Sequence, residues 1–247
     1  MADGSLASAG SGYADATATN APVIALSRGL SILSAFGASP RPLSLAELAR
    51  ATGLHKTTAL RLLLTLTEAG FVQRRGCNYE LGPAAFQLGL NYQRSHLLHL
   101  VRPALDDLLA HDCESPSFHV QACHRTRLCL LRVDGRDGRA DGLSAGDVLP
   151  LGLGAPGHVL RTFQEGTPPL GETVDVTVSW GERVPGCASV AAPVFGRGER
   201  LCGAISISGP QARFGKPALQ RMSRQVLRTA SRLTAKLGGD ATVFQTC

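Results

Sequence analysis

Two short amphipathic stretches separated by a three-residue break constrain this chain more than any other feature. Over residues 45–69 apolar residues recur at helical spacing, stop at Thr52-Gly53-Leu54 and resume, with Leu48, Leu54, Leu62 and Leu66 on the inner face. Ala49 is small enough for two helices to cross closely, and Gly53 accepts the left-handed backbone a tight turn requires. Ser44 stands at the first helix's start with Glu47 three residues on, the spacing of a capping box. The second of the two helices runs from about His55 to Ala69 and is ended by Gly70. An earlier helix is marked by Leu26, Leu30, Ile32, Leu33 and Phe36, and stops between Gly37 and Pro42. After Gly70, alternating runs at 71–74 and 78–81, joined across Arg75, Gly76 and Cys77, predict a small hairpin. Three helices and a hairpin in this order make a winged helix-turn-helix.

That arrangement projects the start of its third helix from the domain, where it fits a DNA major groove. The residues there are His55, Lys56, Thr57, Thr58 and, one turn on, Arg61; Arg74 and Arg75 flank the tip of the hairpin. Lysine and arginine neutralise phosphates or bind guanine edges, and threonine hydroxyls suit backbone or bases. Residues 22–82 hold seven basic side chains (Arg28, Arg41, Arg50, Lys56, Arg61, Arg74, Arg75) against three acidic ones (Glu47, Glu68, Glu80). Residues 83–247 carry 18 basic and 14 acidic side chains, the same excess over more than twice the length, so the basicity is concentrated at the N-terminal end. The bland reading of the same residues is a helical hairpin and strand pair with scattered surface charges.

Outside this region, residues 1–21 are almost entirely Ala, Gly, Ser, Thr and Asp and are expected to be a disordered tail. A connecting helix is predicted over 83–98 and a further helix over 99–111, opening a second domain that extends to about residue 240. Strands at 117–123 and 128–133, a loop at 134–142, a short helix at 157–163, strands at 187–195 and 200–208, and a last helix at 217–237 follow. The chain lacks a run of about 18 apolar residues and a basic start followed by an apolar run, so it is expected to be cytoplasmic. No CxxC pair occurs among the seven cysteines. Cys113, His119, Cys123, His124 and Cys129 lie close together, but strand alternation sends neighbours to opposite faces and the spacing fits no tight zinc pair. The Asp134 to Gly142 loop lacks the acidic spacing of a calcium loop, and Arg136 and Arg139 oppose a cation. It reads as a solvated hairpin loop, and neither metal nor cofactor is expected.

The two late strands flank Gly196-Arg-Gly-Glu199, which suits a four-residue hairpin loop. In that register Phe195 faces Arg200, Ser189 faces Ser206 and Cys187 faces Ser208. Val190, Val194, Leu201, Ile205 and Ile207 then form a core face, while Cys187, Ser189, Ala191, Ala204, Ser206 and Ser208 form a shelf of small residues. Such a shelf admits a ligand or a closely packed helix, and the residues alone leave both open. Gly152-Leu-Gly-Ala-Pro-Gly157 matches GxGxxG, yet the helix after it is too short for a dinucleotide-binding crossover.

Several segments carry a resemblance: Leu26-Ser-Arg-Gly-Leu-Ser-Ile-Leu-Ser-Ala-Phe36, Leu43-Ser-Leu-Ala-Glu-Leu-Ala49, Thr52-Gly-Leu-His-Lys-Thr-Thr58, Arg61-Leu-Leu63, Gly70-Phe-Val72, Tyr79-Glu-Leu-Gly82, Leu149-Pro-Leu151 and Ile205-Ser-Ile-Ser-Gly-Pro210. Together they resemble the IclR family of bacterial transcriptional regulators over about nine-tenths of the chain. The resemblance implies an α+β protein: a winged helix-turn-helix, a linker helix and a GAF-like effector-binding domain, assembled as dimers or dimers of dimers on operator DNA. Family members more often repress than activate, and they answer small metabolites, frequently organic acids. Positions matching Ser189, Ser206 and Ser208 are where effectors bind in this family, which turns the shelf toward a ligand. The glycine-rich loop would add the amides of Gly154 and Ala155 and a positive helix end, favouring a carboxylate without formal charge pairing. Cys187 completes the expected effector set.

The chain departs from the family pattern at this wall. Gly154-Ala155 and Gly157-His158 stand where the family carries Thr-Ala and Gly-Lys, and the stretch from Phe163 to Gly186 is shorter and lacks the customary Arg-Gly-Tyr. A constitutive DNA-binding regulator with a degenerate sensor is therefore the alternative. An enzyme using Cys187 or a serine as nucleophile is the rival from another class, but no nucleophile elbow, carboxylate pair or fixed Cys/His spacing supports it.

Overall fold

The computed structural model describes residues 22–37, 39, 41–112, 114–136, 141–168 and 172–244. The expected tail at 1–21, Cys113, Arg139 and Cys247 lie outside them. The described residues fall into two compact units, divided between Tyr92 and Gln93.

In the first unit α1 (Ile24–Gly37), α2 (Leu45–Thr52) and α3 (Lys56–Glu68) enclose a core of Ile32, Phe36, Leu48, Ala49, Ala59 and Leu63. Ala59 and Leu63 form its centre on α3, while Leu54, Leu62 and Leu66, read from the sequence as the inner face, are only partly buried. The capping box is present: the Ser44 hydroxyl accepts from the Glu47 amide (3.3 Å) and Glu47 Oε2 accepts from the Ser44 amide (2.8 Å). Gly53 closes α2 at φ +67°, the left-handed conformation that only glycine takes without strain. Strands β2 (Val72–Arg75) and β3 (Asn78–Leu81) form the hairpin, and β3 also pairs with β1 (Leu43–Ser44), which the sequence reading did not foresee. Helix α4 (Pro83–Gln93) ends the unit with no buried residue of its own.

The two helices predicted over 83–98 and 99–111 are present, but the break between them falls at Arg94-Ser95 rather than after Leu98. The Ser95 carbonyl starts a new helix by accepting from the amides of Leu98 and His99, and α5 runs His96–Asp112. Val101, Leu105 and Leu108 of α5 are buried in the second unit's core, whereas α4 buries nothing, so packing begins after the break.

The second unit is a six-stranded antiparallel sheet in the order β6-β5-β4-β9-β8-β7. Its strands are β4 (Ser115–Gln121), β5 (Thr126–Arg132), β6 (Val148–Pro150), β7 (Thr177–Trp180), β8 (Cys187–Phe195) and β9 (Leu201–Pro210). One face carries Phe118, Val190, Val194, Ile205 and Ile207 against α5 and α7 (Lys216–Lys236). On the other face Ala191 and Ala204 pack against Ala155, Val159 and Leu160 of α6 (Ala155–Thr162). Strand β7 was missed although Val174, Val176, Val178 and Trp180 alternate in the sequence.

The predicted β8–β9 register is corrected by two residues. Phe195 faces Leu201, Ser189 faces Ser208, Ala191 faces Ser206 and Cys187 faces Pro210. The connecting loop takes in Arg200, closed by the Gly196 amide on the Arg200 carbonyl, and a bulge follows Val194. Each slip moves the pairing by one, so their sum preserves the faces while changing the partners.

Candidate functional site

Two candidate sites stand out, one in each unit. On the first unit, Gly53 and the capping box fix where α3 begins, and His55, Lys56, Thr57 and Arg61 are exposed there, with Thr58 half-buried. Among the described residues the Lys56 and Arg61 side chains have no hydrogen-bond or ion-pair partner. The hairpin arginines are exposed but partly engaged: Arg74 Nε donates to the Gly76 carbonyl (2.9 Å) and Arg75 pairs with Glu80 (3.4 Å). An exposed helix start bearing free cations beside a basic hairpin is suited to a polyanion.

In the second unit Cys187, Ser189, Ser206, Ser208 and Gly154 line one cavity of about 40 Å³, between the small-residue face of β8 and β9 and the loop that opens α6. The small-residue face thus serves both of the uses left open by the sequence: its alanines seat α6 and its serines border a cavity.

The amides assigned to a ligand carboxylate are already in use. The Gly154 amide donates to Glu182 Oε2 (2.8 Å), and the Ala155 amide donates to the hydroxyls of Ser179 (2.9 Å) and Ser189 (3.3 Å). Ala155 itself faces the helix core rather than the cavity. Glu182 therefore satisfies the start of α6 as an internal carboxylate, also contacting His158 Nε2 (2.7 Å). The Gly154 amide and the His158 ring hold its carboxyl below the usual carboxylate range.

The absence of formal charge expected for the pocket is also corrected. Asp141, read as part of a solvated loop, is buried and pairs with Arg132 (2.9 Å) and Arg183 (3.2 Å), while the Ser208 hydroxyl donates to its Oδ2 (2.8 Å). Ser117 Oγ shares hydrogen bonds with His119 Nε2 and Ser206 Oγ, each 3.0 Å. Arg127 is 2% exposed and donates through Nη1 to the carbonyls of Pro150 and Leu153. Burial and the neighbouring Arg183 charge bring its guanidinium down to about 10, still fully charged near neutrality.

A bulge in β5 creates this cluster. Ser117 faces Arg132 and His119 faces Cys129, with Leu130 the extra residue, so Arg127 and Arg132 share a face although an odd separation would place them on opposite ones. The sequence offered one usable signal, a charged residue interrupting an otherwise apolar strand.

These groups do not make a nucleophile. Ser117 and His119 are close enough to suggest a base and its hydroxyl, but burial and the charges of Arg127, Arg183 and Arg132 push His119 well below its ordinary range. Its Nδ1 has no partner that would orient it. Burial likewise raises the Cys187 thiol. Two guanidinium groups, Arg127 and Arg183, and two carboxylates, Asp141 and Glu182, line the cavity. Of the two arginines Arg127 has no carboxylate partner among the described residues, which leaves its charge available to an anion.

Comparison with known proteins places these observations in context. The profile "IclR helix-turn-helix domain" matches residues 25–76, and "Bacterial transcriptional regulator IclR C-terminal" matches residues 173–235. The chain is 29% identical to "Transcriptional repressor IclR" of Escherichia coli K12 over 88% of its length and 91% of the relative's. It is 26% identical to the "Glycerol operon regulatory protein" of Streptomyces coelicolor, over 84% of this chain and 94% of that one. A solved IclR transcriptional regulator from Alicyclobacillus acidocaldarius shares the fold with a TM-score of 0.71 at 21% identity, covering 88% of this chain and 100% of that chain. An IclR homolog from Microbacterium hydrocarbonoxydans, complexed with 4-hydroxybenzoate, gives 0.65 at 17% identity, over 85% of this chain and 99% of that one.

Proposed function

Because the chain belongs to the IclR family of transcriptional regulators, we propose that it binds operator DNA as a cytoplasmic repressor whose affinity is set by a small carboxylate-bearing effector in the second unit. The observation that carries the DNA half is the start of α3, with Lys56 and Arg61 exposed and without protein partners among the described residues. His55, Thr57, Thr58, Arg74 and Arg75 complete the proposed contact surface, with the hairpin pair reaching flanking phosphate. The repressor assignment is supported by the name of the Escherichia coli relative.

For the effector half, support comes from the cavity lined by Cys187, Ser189, Ser206 and Ser208 with the Arg127 guanidinium in its wall, and from the 4-hydroxybenzoate complex of the Microbacterium homolog. Self-association is supported by apolar side chains left exposed on the first unit: Leu26 and Leu30 on α1, Phe86, Leu88 and Tyr92 on α4. Two copies covering these faces would bring two α3 helices onto successive half-sites. The effector would favour one arrangement of that assembly and so change operator affinity. A second reading, a constitutive regulator, is favoured by the small cavity and by the engagement of the Gly154 and Ala155 amides.

The test is a titration of organic acids against the protein bound to operator captured from its own genomic DNA, with wild type and the Ser206→Ala/Ser208→Ala double variant in parallel. Release of wild type at lower acid concentration than the double variant supports a responsive sensor. Equal behaviour removes the serines, and no response to any metabolite leaves the constitutive reading.

A further inference from the structure

Arg127 is buried with no acidic partner among the described residues. Every hydrogen bond it makes runs through Nη1 to main-chain carbonyls, and its Nε is buried without any acceptor. Nη2 lies at the cavity wall: a Cβ built on Gly154 would sit 3.5 Å from it and 4.0 Å from Ser179 Oγ. The other two arginines of the cluster have carboxylate partners: Arg132 pairs with Asp134 and Asp141, and Arg183 pairs with Asp141. Glu182 is engaged by His158 and the Gly154 amide. Among the described residues, the guanidinium at the cavity left without a carboxylate is therefore that of Arg127. A second polar atom on the same wall, His119 Nδ1, is also buried and unpartnered.

Burying a cation without an anion is costly, and positions that retain one commonly pair it with a bound group. A structural role in pinning the glycine-rich loop accounts for Nη1 but leaves Nε and Nη2 unused. We propose that Arg127 is the specificity-determining residue of the effector site, its free Nε and Nη2 edge receiving the carboxylate of a short monocarboxylate. The inference rests on the reading of this cavity as an effector site and adds which residue holds the charge. A cavity of about 40 Å³ has room for only about three waters, which limits the anion to roughly the size of acetate. A fork of two N–H donors meeting two oxygens gives geometric selection as well as attraction.

The experiment compares acetate with acetamide, which has the same shape without the charge. Binding is followed by the fluorescence of Trp180, the single tryptophan, which neighbours the cavity residue Ser179. Wild type should bind acetate about 10- to 100-fold more tightly than acetamide, the range for a hydrogen-bonded charge. Arg127→Gln, which keeps one donor for the loop carbonyls, should bind both alike, and Arg127→Lys should recover part of the preference. A purely structural role would weaken both ligands together and leave their ratio intact.

A second measurement needs no variant with altered packing. In wild type the ¹⁵Nε–¹H resonance of Arg127, identified by its absence in Arg127→Lys, should move on adding acetate and stay in place with acetamide. Equal affinity for the two ligands, a preference retained in Arg127→Gln, an unmoved resonance or no acetate binding would each overturn the proposal. If acetate is silent while a neutral metabolite releases operator, the effector reading stands and the Arg127 assignment alone falls. Silence of acids and neutral metabolites alike removes both.

Discussion

Replacing Asp141 by asparagine keeps the shape of the side chain and removes a buried charge bonded by four groups of the second unit. Its carboxylate accepts from Arg132 (2.9 Å), Arg183 (3.2 Å), the Ser208 hydroxyl (2.8 Å) and the Leu143 amide (3.2 Å). The Asp141 side chain is 2% exposed and that of Arg132 3%, so solvent cannot substitute for the lost charge there. An asparagine amide nitrogen would also face donors. Removing one member of a buried ion pair costs about 3–5 kcal/mol, because the partner is left charged in a poor solvent.

The lower end applies here. Arg132 keeps Asp134 (2.8 Å), while Arg183, 22% exposed, keeps the Asp141 carbonyl (2.8 Å) and has access to water. A loss of about 3 kcal/mol corresponds to a fall of about 6–12 °C in Tm for a unit of this size. Differential scanning calorimetry should show the shift in the transition belonging to residues 93–247. The double variant Asp141→Leu/Arg132→Met, which removes both buried charges, should recover at least half of the loss. A Tm within about 2 °C of wild type for Asp141→Asn would refute the claim that this pair is desolvated.

Further outcomes follow from other sites. Ser44→Ala should destabilise the first unit by about 1 kcal/mol through loss of the cap, read by urea unfolding. Glu47, bonded to Arg41 and to Ser44, has a folded-state pKa of about 2 against 4.5 for the free group. Its contribution is therefore complete above about pH 4.5 and declines as pH falls through 2, and Glu47→Gln should abolish that part of the acid sensitivity of the first unit's Tm. Cys123, in the turn between β4 and β5, is exposed with its thiol lowered by Thr126, whereas burial pushes Cys129 on β5 up to about 12. Alkylation followed by mass spectrometry should label Cys123 in the native protein and Cys129 only after unfolding; equal rates would contradict the burial of β5. Gly157→Ala places a Cβ 2.7 Å from Arg127 Nη1 and against the Leu151 carbonyl, so it should cost about 1–3 kcal/mol and weaken acid binding, measured by thermal shift and titration.

What could be read from the sequence divides along the range of the interactions involved. The capping box, the Gly53 turn and the hairpin are set by residues within a few positions of one another, so the first unit and its exposed α3 start were legible. The serine face was legible by parity alone. Its pairing was not, because the bulge after Val194 and the loop through Arg200 leave no local mark. The charged cavity was missed because Arg127 comes from β5, Asp141 from the loop after it, and Glu182 and Arg183 from the β7–β8 loop, where each looks like an ordinary surface charge. The same distance in sequence explains the error over the Gly154 and Ala155 amides, which are satisfied by Glu182, Ser179 and Ser189 from β7, β8 and the loop between them.

The most direct measurement is the salt dependence of operator affinity for wild type, Lys56→Ala and Arg61→Ala, followed by fluorescence anisotropy. Each side chain that neutralises a phosphate contributes about 0.9 to the slope of log affinity against log salt. Both substitutions should weaken binding and reduce the slope by about one for each phosphate left without its cation. Unchanged affinity and an unchanged slope in both variants would place the DNA surface elsewhere and contradict the assignment of α3 as the reading helix.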